Sequence, residues 1–216
     1  QTVAENKANY EKYLSSGNIG LAAFYASMVA KDVCTIDADY AQAVIWYQKS
    51  AELSQKSKNP AAAAVELSTA ADLLETKLNN RDESLKIRAQ AHALFEEGYD
   101  HHINNEYFNR AIDMADSGKK AAESLTLPSA VQKWMDRKES AQRKLDHSMP
   151  GFRKLASDLE SQYRAADSAK NIPKAAEIAG QLAELYDKMN EQKEADKWDD
   201  LAFELELKVD DKRTDL

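Results

Sequence analysis

The chain has 216 residues, of which only six are Gly and four Pro, where average usage of the two together is roughly one residue in eight. That scarcity argues against most all-β folds, Gly-rich phosphate loops and Pro-rich or collagen-like chains, and leaves a mostly helical protein. With 29 Lys+Arg against 37 Asp+Glu the net charge is −8, which argues against nucleic-acid and anionic-membrane binding, while 43% apolar residues suffice for a core.

Apolar positions recur three and four residues apart along nearly the whole chain, the helical period. The pattern predicts ten helices, at about 2–15, 18–33, 37–56, 60–80, 82–101, 104–124, 128–147, 150–169, 173–189 and 192–208. Each of Pro60, Pro128, Pro150 and Pro173 stands where one of these helices should begin, since the first-turn N–H lacks an intrahelical partner. The loops are therefore short, and short loops join antiparallel neighbours. Residues 109–216 carry 41 charged side chains against 25 in residues 1–108, so the second half should present broader solvated faces. Residues 209–216 read as a polar, frayed tail. Its end, Thr214-Asp215-Leu216, has the form of a C-terminal PDZ-domain ligand.

The breaks between helices resemble one another. Asn18 is followed by Ala22-Ala23, Asn59 by Ala63-Ala64, and Asn171 by Ala175-Ala176; Asn105 is followed less closely by Ala111. Asn can cap the incoming helix, and an Ala pair one turn later lets that helix approach its predecessor closely. The intervals from Asn18 to Asn59 and from Asn59 to Asn105 are 41 and 46 residues, the spacing of repeated helical hairpins. The next interval, to Asn171, is 66 residues, so an irregularity is expected near 125–150. Gly20 and Gly180 fall inside predicted helices, where they cost stability unless a neighbour packs close; the tightest helix contacts are expected there.

The hairpin near the C-terminus carries the clearest pattern. Ala183 and Tyr186 on its first helix, then Ala195, Trp198 and Ala202 on its second, resemble the small-and-aromatic signature of the tetratricopeptide family. Tyr10 and Tyr13 followed by Ala22, Tyr25 and Val29 fit more loosely, and Tyr40 to Ala51 looks like the second helix of such a repeat or of the related Sel1-like repeat. The likeness covers about half the chain, and its spacing exceeds the family's 34 residues, as in SNAP-like relatives with longer helices. It implies a peptide- or protein-binding scaffold with first helices lining a concave face. The expected fold is all-α, antiparallel hairpins stacked as a TPR-like solenoid in one domain over 1–208, with a closed helical bundle as the alternative.

Few constellations carry chemistry. His92, Glu96 and Asp100 share one helical face, yet three ligands in line on one helix do not converge on an ion without a second helix, and no Glu-x-x-His occurs. The expected reading is a solvated polar face, with no metal and no cofactor. Cys34 lies near Asp32 and Asp37, and acidic neighbours oppose thiolate formation; it reads as a small packing residue. Nucleophile elbows, P-loops and dinucleotide fingerprints are absent from the sequence. The segment around the turn near 104 mixes aromatic and polar side chains, and Tyr99, His101, His102, Asn104, Asn105 and Tyr107 are the candidate partner-binding residues. The competing reading is a capped turn with Tyr107 and Phe108 stapled onto the core.

The functional expectation is a non-enzymatic scaffold or adaptor that receives a peptide or protein partner in a helical groove. No nucleic-acid partner and no direct membrane insertion are expected. The alternative is a helical-bundle ligand or metal carrier recruiting His92, Glu96 and His101. Because the chain begins at Gln1 and not Met, the expected compartment leans to the exported side.

Overall fold

The computed structural model describes residues 2–214, with side chains described through residue 209. Among these residues it is all-α, with nine helices and no strand. They are α1 (Val3–Ser15), α2 (Ile19–Thr35), α3 (Tyr40–Lys56), α4 (Pro60–Thr76), α5 (Arg81–Asn104), α6 (Phe108–Ser124), α7 (Pro128–Ser168), α8 (Ile172–Lys188) and α9 (Gln192–Thr214). The Thr214-Asp215-Leu216 motif ends outside the described residues.

One turn geometry recurs at all eight junctions. Each holds a single residue in the left-handed region: Gly17 (φ 76°), Ala38 (51°), Lys58 (60°), Asn79 (50°), Glu106 (61°), Thr126 (58°), Lys170 (54°) and Asn190 (61°). In five of them the next N–H reaches back five residues to a carbonyl of the helix just ended: Asn18 to Tyr13, Asn59 to Ser54, Leu127 to Ala122, Asn171 to Ala166 and Glu191 to Tyr186, at 2.8–2.9 Å. That bond closes a helix C-terminus. The same residue then opens the next helix. Asn18, Asn59 and Asn171 accept from the N–H groups of Leu21, Ala62 and Lys174 at 3.1–3.2 Å, so the expected Asn caps are present.

The expected break before Pro150 does not occur. The predicted helices at 128–147 and 150–169 are one helix, α7, with Pro150 inside it. Proline's φ suits a helix; it removes one N–H donor and crowds the Asp146 carbonyl, a local cost. The flanks are held by burial, Trp134 and Ala141 before the proline and Ala156 and Leu159 after it. Helix α9 likewise runs past 208 to Thr214, because Asp, Lys and Arg there offer no breaker.

The chain divides into two compact units, residues 1–104 with 110–138, and residues 105–109 with 139–216. In the first, α1 packs on α2, α2 on α3, α3 on α4 and α4 on α5. The Ala pairs supply the contact: Ala22, Ala23, Ala63 and Ala64 are buried, as are Ala26, Ala30, Ala70 and Ala71. Buried hydroxyls pin two of these hairpins, Ser50 donating to the Ala23 carbonyl and Ser84 to the Ala71 carbonyl, both at 2.9 Å. Second neighbours also touch. Tyr10 of α1 meets Trp46 of α3 edge-on at 5.1 Å, and Ser27 of α2 donates to Glu66 of α4 at 2.8 Å. In the second unit α7, α8 and α9 enclose Ala156, Leu159, Ile178, Leu182, Trp198 and Ala202, with Tyr163 edge-on to Trp198 at 5.0 Å.

The close glycine contacts are not where the sequence places them. A Cβ on Gly20 or Gly180 would have nothing within 4 Å. At Gly98 it would lie 3.0 Å from the Ala61 Cα, and at Gly118 it would clash with the indole ring of Trp134. A helical glycine looks the same in the sequence on a buried face as on an open one; here the open ones only forfeit helix propensity.

Two outcomes follow in urea unfolding. Thr126→Gly should stabilise the protein by about 1 kcal/mol, because a β-branched residue is strained at positive φ. Gly180→Ala should stabilise by about 1 kcal/mol, whereas Gly118→Ala should destabilise by about 1–3 kcal/mol through overpacking against Trp134. Equal effects at the two glycines would contradict this assignment.

Candidate functional site

The six candidate partner-binding residues are divided between the two units. Tyr99, His101, His102 and Asn104 lie in the first; Asn105 and Tyr107 lie in the second. Tyr99 is a core residue, 6% exposed, and its hydroxyl donates to the Arg137 carbonyl at 2.8 Å. His101 and Asn104 are exposed and His102 half-buried, with the two imidazoles 5.6 Å apart. In the second unit the Tyr107 hydroxyl donates to Glu184 at 3.2 Å, with Lys188 Nζ 5.1 Å from its ring. Asn109 beside it donates to the Asp187 carbonyl at 2.9 Å. Phe108 is buried, as the stapled-turn reading has it.

The His92, Glu96, Asp100 stripe faces α7. Trp134, fully buried, donates its indole N–H to His92 Nε2 at 3.0 Å. Glu96 accepts from Lys133 at 2.7 Å and Arg137 at 3.4 Å, and Asp100 lies 3.8 Å from Arg137. The Arg137 guanidinium sits over both the Trp134 and Tyr99 rings, at 4.8 and 5.0 Å. The stripe is therefore a polar seam between α5 and α7 at His92 and Glu96, and stays solvated at Asp100. Among the described residues no three His, Cys, Asp or Glu side chains converge as a metal site would require. Desolvation holds the His92 imidazole below its ordinary pKa, against a smaller opposing pull from Glu96. The hydrogen bond from Lys133 holds Glu96 below the usual carboxylate range.

Two clefts stand out. One, of about 480 Å³, lies at the end of α3, the start of α4 and the flank of α5, and is lined by Gln55, Lys58, Pro60, Leu94, Glu97 and His101. Its volume is in the range of ligand pockets, but its polar lining side chains are exposed. The other, of about 120 Å³, lies between α7 and α8; in it Tyr186 donates to Glu160 at 2.7 Å, which pushes the phenol up to about 12.

A third feature is a face. The core side of α2 is the row Ala22, Ala26, Val29, Ala30 and Val33; the opposite side carries Leu21, Phe24 and the half-buried Met28. On α4, Val65 holds the matching outward position. Phe24 is 55% exposed and Val65 45% exposed. The Ser27–Glu66 bond links the two helices, and burial raises the Glu66 carboxyl against the smaller opposing effect of that bond. Helix α2 is thus apolar on both sides, which its sequence shows once the Ala row is taken as the core face. No helix among the described residues is long and apolar enough to cross a membrane.

No protein-family model matches the chain, and no curated protein matches it. Among solved structures, BtubC (BKLC) from P. vanneervenii is similar at 14% identity, over 97% of this chain and 91% of that chain, with a TM-score of 0.42. That distance carries nothing about function.

The His92 contact has a pH signature. The folded chain refuses the proton that the unfolded chain takes near pH 6.5, so stability should fall as pH drops below that value. His92→Gln keeps an acceptor for Trp134 and removes the titration; it should flatten unfolding free energy between pH 7.5 and 5.5. An identical slope in the variant would exclude His92 as the source.

Proposed function

We propose that this chain is a TPR-like helical-repeat scaffold, without catalytic activity, that binds a peptide or protein on the outward face of its α2–α4 layer. The single observation that carries the reading is that Leu21, Phe24 and Val65 stand exposed on two helices joined by the Ser27–Glu66 bond. An apolar row on a rigid helical layer offers anchors to a partner at little ordering cost, and aromatic residues at such positions contribute most of the binding energy. The recurring turn, the Asn caps, the buried Ala pairs and the second-neighbour contacts support the repeat reading. In this reading α2 and α4 are the first helices of successive hairpins and α3 and α5 the second, in place of the looser pairing of Tyr10 and Tyr13 with Ala22, Tyr25 and Val29.

The test is a peptide selection from a displayed library on the whole chain, followed by titration of the selected peptides. Phe24→Asp with Val65→Asp should keep the helical circular dichroism, because both side chains already stand in water. Binding should fall by about tenfold or more, corresponding to roughly 1.4 kcal/mol. Retained affinity in a folded double variant would end the proposal.

A further inference from the structure

The second unit carries another face with a different chemistry. Helix α9 buries Ala195, Trp198, Ala202 and Leu205, in packing that includes α8. Away from that side, Phe203 is 63% exposed and Leu207 50% exposed, one turn apart. At about 100° per residue, Asp196, Asp199, Asp200 and Glu206 lie within about 60° of Phe203 around the helix. All four are exposed. The lysines lie elsewhere. Lys197 and Lys208 are more than about 100° around, and Lys193 is nearly three turns away. Lys197 also pairs with Glu194 at 3.2 Å. The result is an apolar pair bracketed by carboxylates.

We propose that this face is a second interaction surface, and that its partner is a basic amphipathic helix. That helix sets two apolar side chains, spaced i and i+4, against Phe203 and Leu207, and brackets them with Lys or Arg facing the carboxylates. The i,i+4 spacing on both partners is about 5–6 Å, so the anchors meet in register. The charges select the sign of the partner and speed its arrival; the apolar pair holds it. The proposal is independent of the α2–α4 reading, because it uses other residues in another unit. It makes the chain an adaptor with two differently specified faces.

The probe is a fluorescein-labelled synthetic helix of about 18 residues, five turns, with Leu at i and i+4 and Lys on the flanking positions. Its anisotropy is followed against the whole chain at low and high salt. The expected result is saturable binding that weakens with salt. It should weaken by about tenfold in Phe203→Ser with Leu207→Ser, a variant that retains the wild-type melting curve. Asp199→Asn with Asp200→Asn should weaken binding and flatten its salt dependence. Phe24→Asp with Val65→Asp should leave it unchanged, so failure here is separable from failure of the α2–α4 reading. Equal binding by a peptide with the same composition but dispersed leucines would overturn the proposal, as would unchanged binding by the double-serine variant. A dimer in sedimentation that the double-serine variant dissociates would assign the face to a second copy, and would overturn it too.

Discussion

The rest of the structure depends on a turn in which one residue at positive φ stands between the end of a helix and the cap of the next. In five junctions the N–H that closes the first helix belongs to the residue that opens the second. No length is left over for the chain to wander, so the second helix must return along the first. Between such turns, helices α2, α3, α4, α6 and α8 each have 17 residues, about 25 Å, while α5 and α7 run longer. Only Gly17 occupies the position at no steric cost; the other seven junctions accept strain that the packing of the helices they join must offset.

Forced reversal sets the packing chemistry. Helices that return side by side need small residues at the seam, and the Ala rows of α2, α4 and α8 provide them. Alanine buries little area, so the seams are close without being strongly selective. Selectivity comes from a few large side chains set into particular gaps. Trp134 occupies the space that Gly118 leaves and ties α5 to α7 through His92, and Trp198 fills the α7–α9 gap against Tyr163.

The helices, the Asn caps and the buried Ala pairs were legible in the sequence because each depends on local spacing. Asn18 and Ala22 are four residues apart in any register. The merging of two predicted helices across Pro150 was not legible, because a proline costs a helix only one bond and some crowding, and tertiary burial on either side decides whether it breaks. The positive-φ turns were invisible for a related reason. Lys58, Glu106, Thr126 and Lys170 are not residues that announce a left-handed conformation. The polar stripe at His92 was correctly placed on one face, but a sequence does not say that α7 covers that face. Within the candidate patch around residue 104, Tyr99 is a core residue, because an aromatic ring signals burial as readily as binding.

Where function can sit follows from the same turn. Proteins commonly place binding and catalytic groups on loops carried by a rigid frame. Here the loops are reduced to a strained residue and a cap, both committed to closing helices, so the surface available for specificity is the outward side of the helices. That makes an outward Phe informative. Phe24 is not required by the turn, which Gly17 and Asn18 close, nor by the seam and core, which the Ala22 and Ala26 row supplies. Helix α9 follows the same logic. Trp198 and Leu205 complete its packing, and Phe203 and Leu207 stand among carboxylates that the fold does not need. On the proposed reading, recognition falls on the side chains that are costly to expose and unnecessary to the fold.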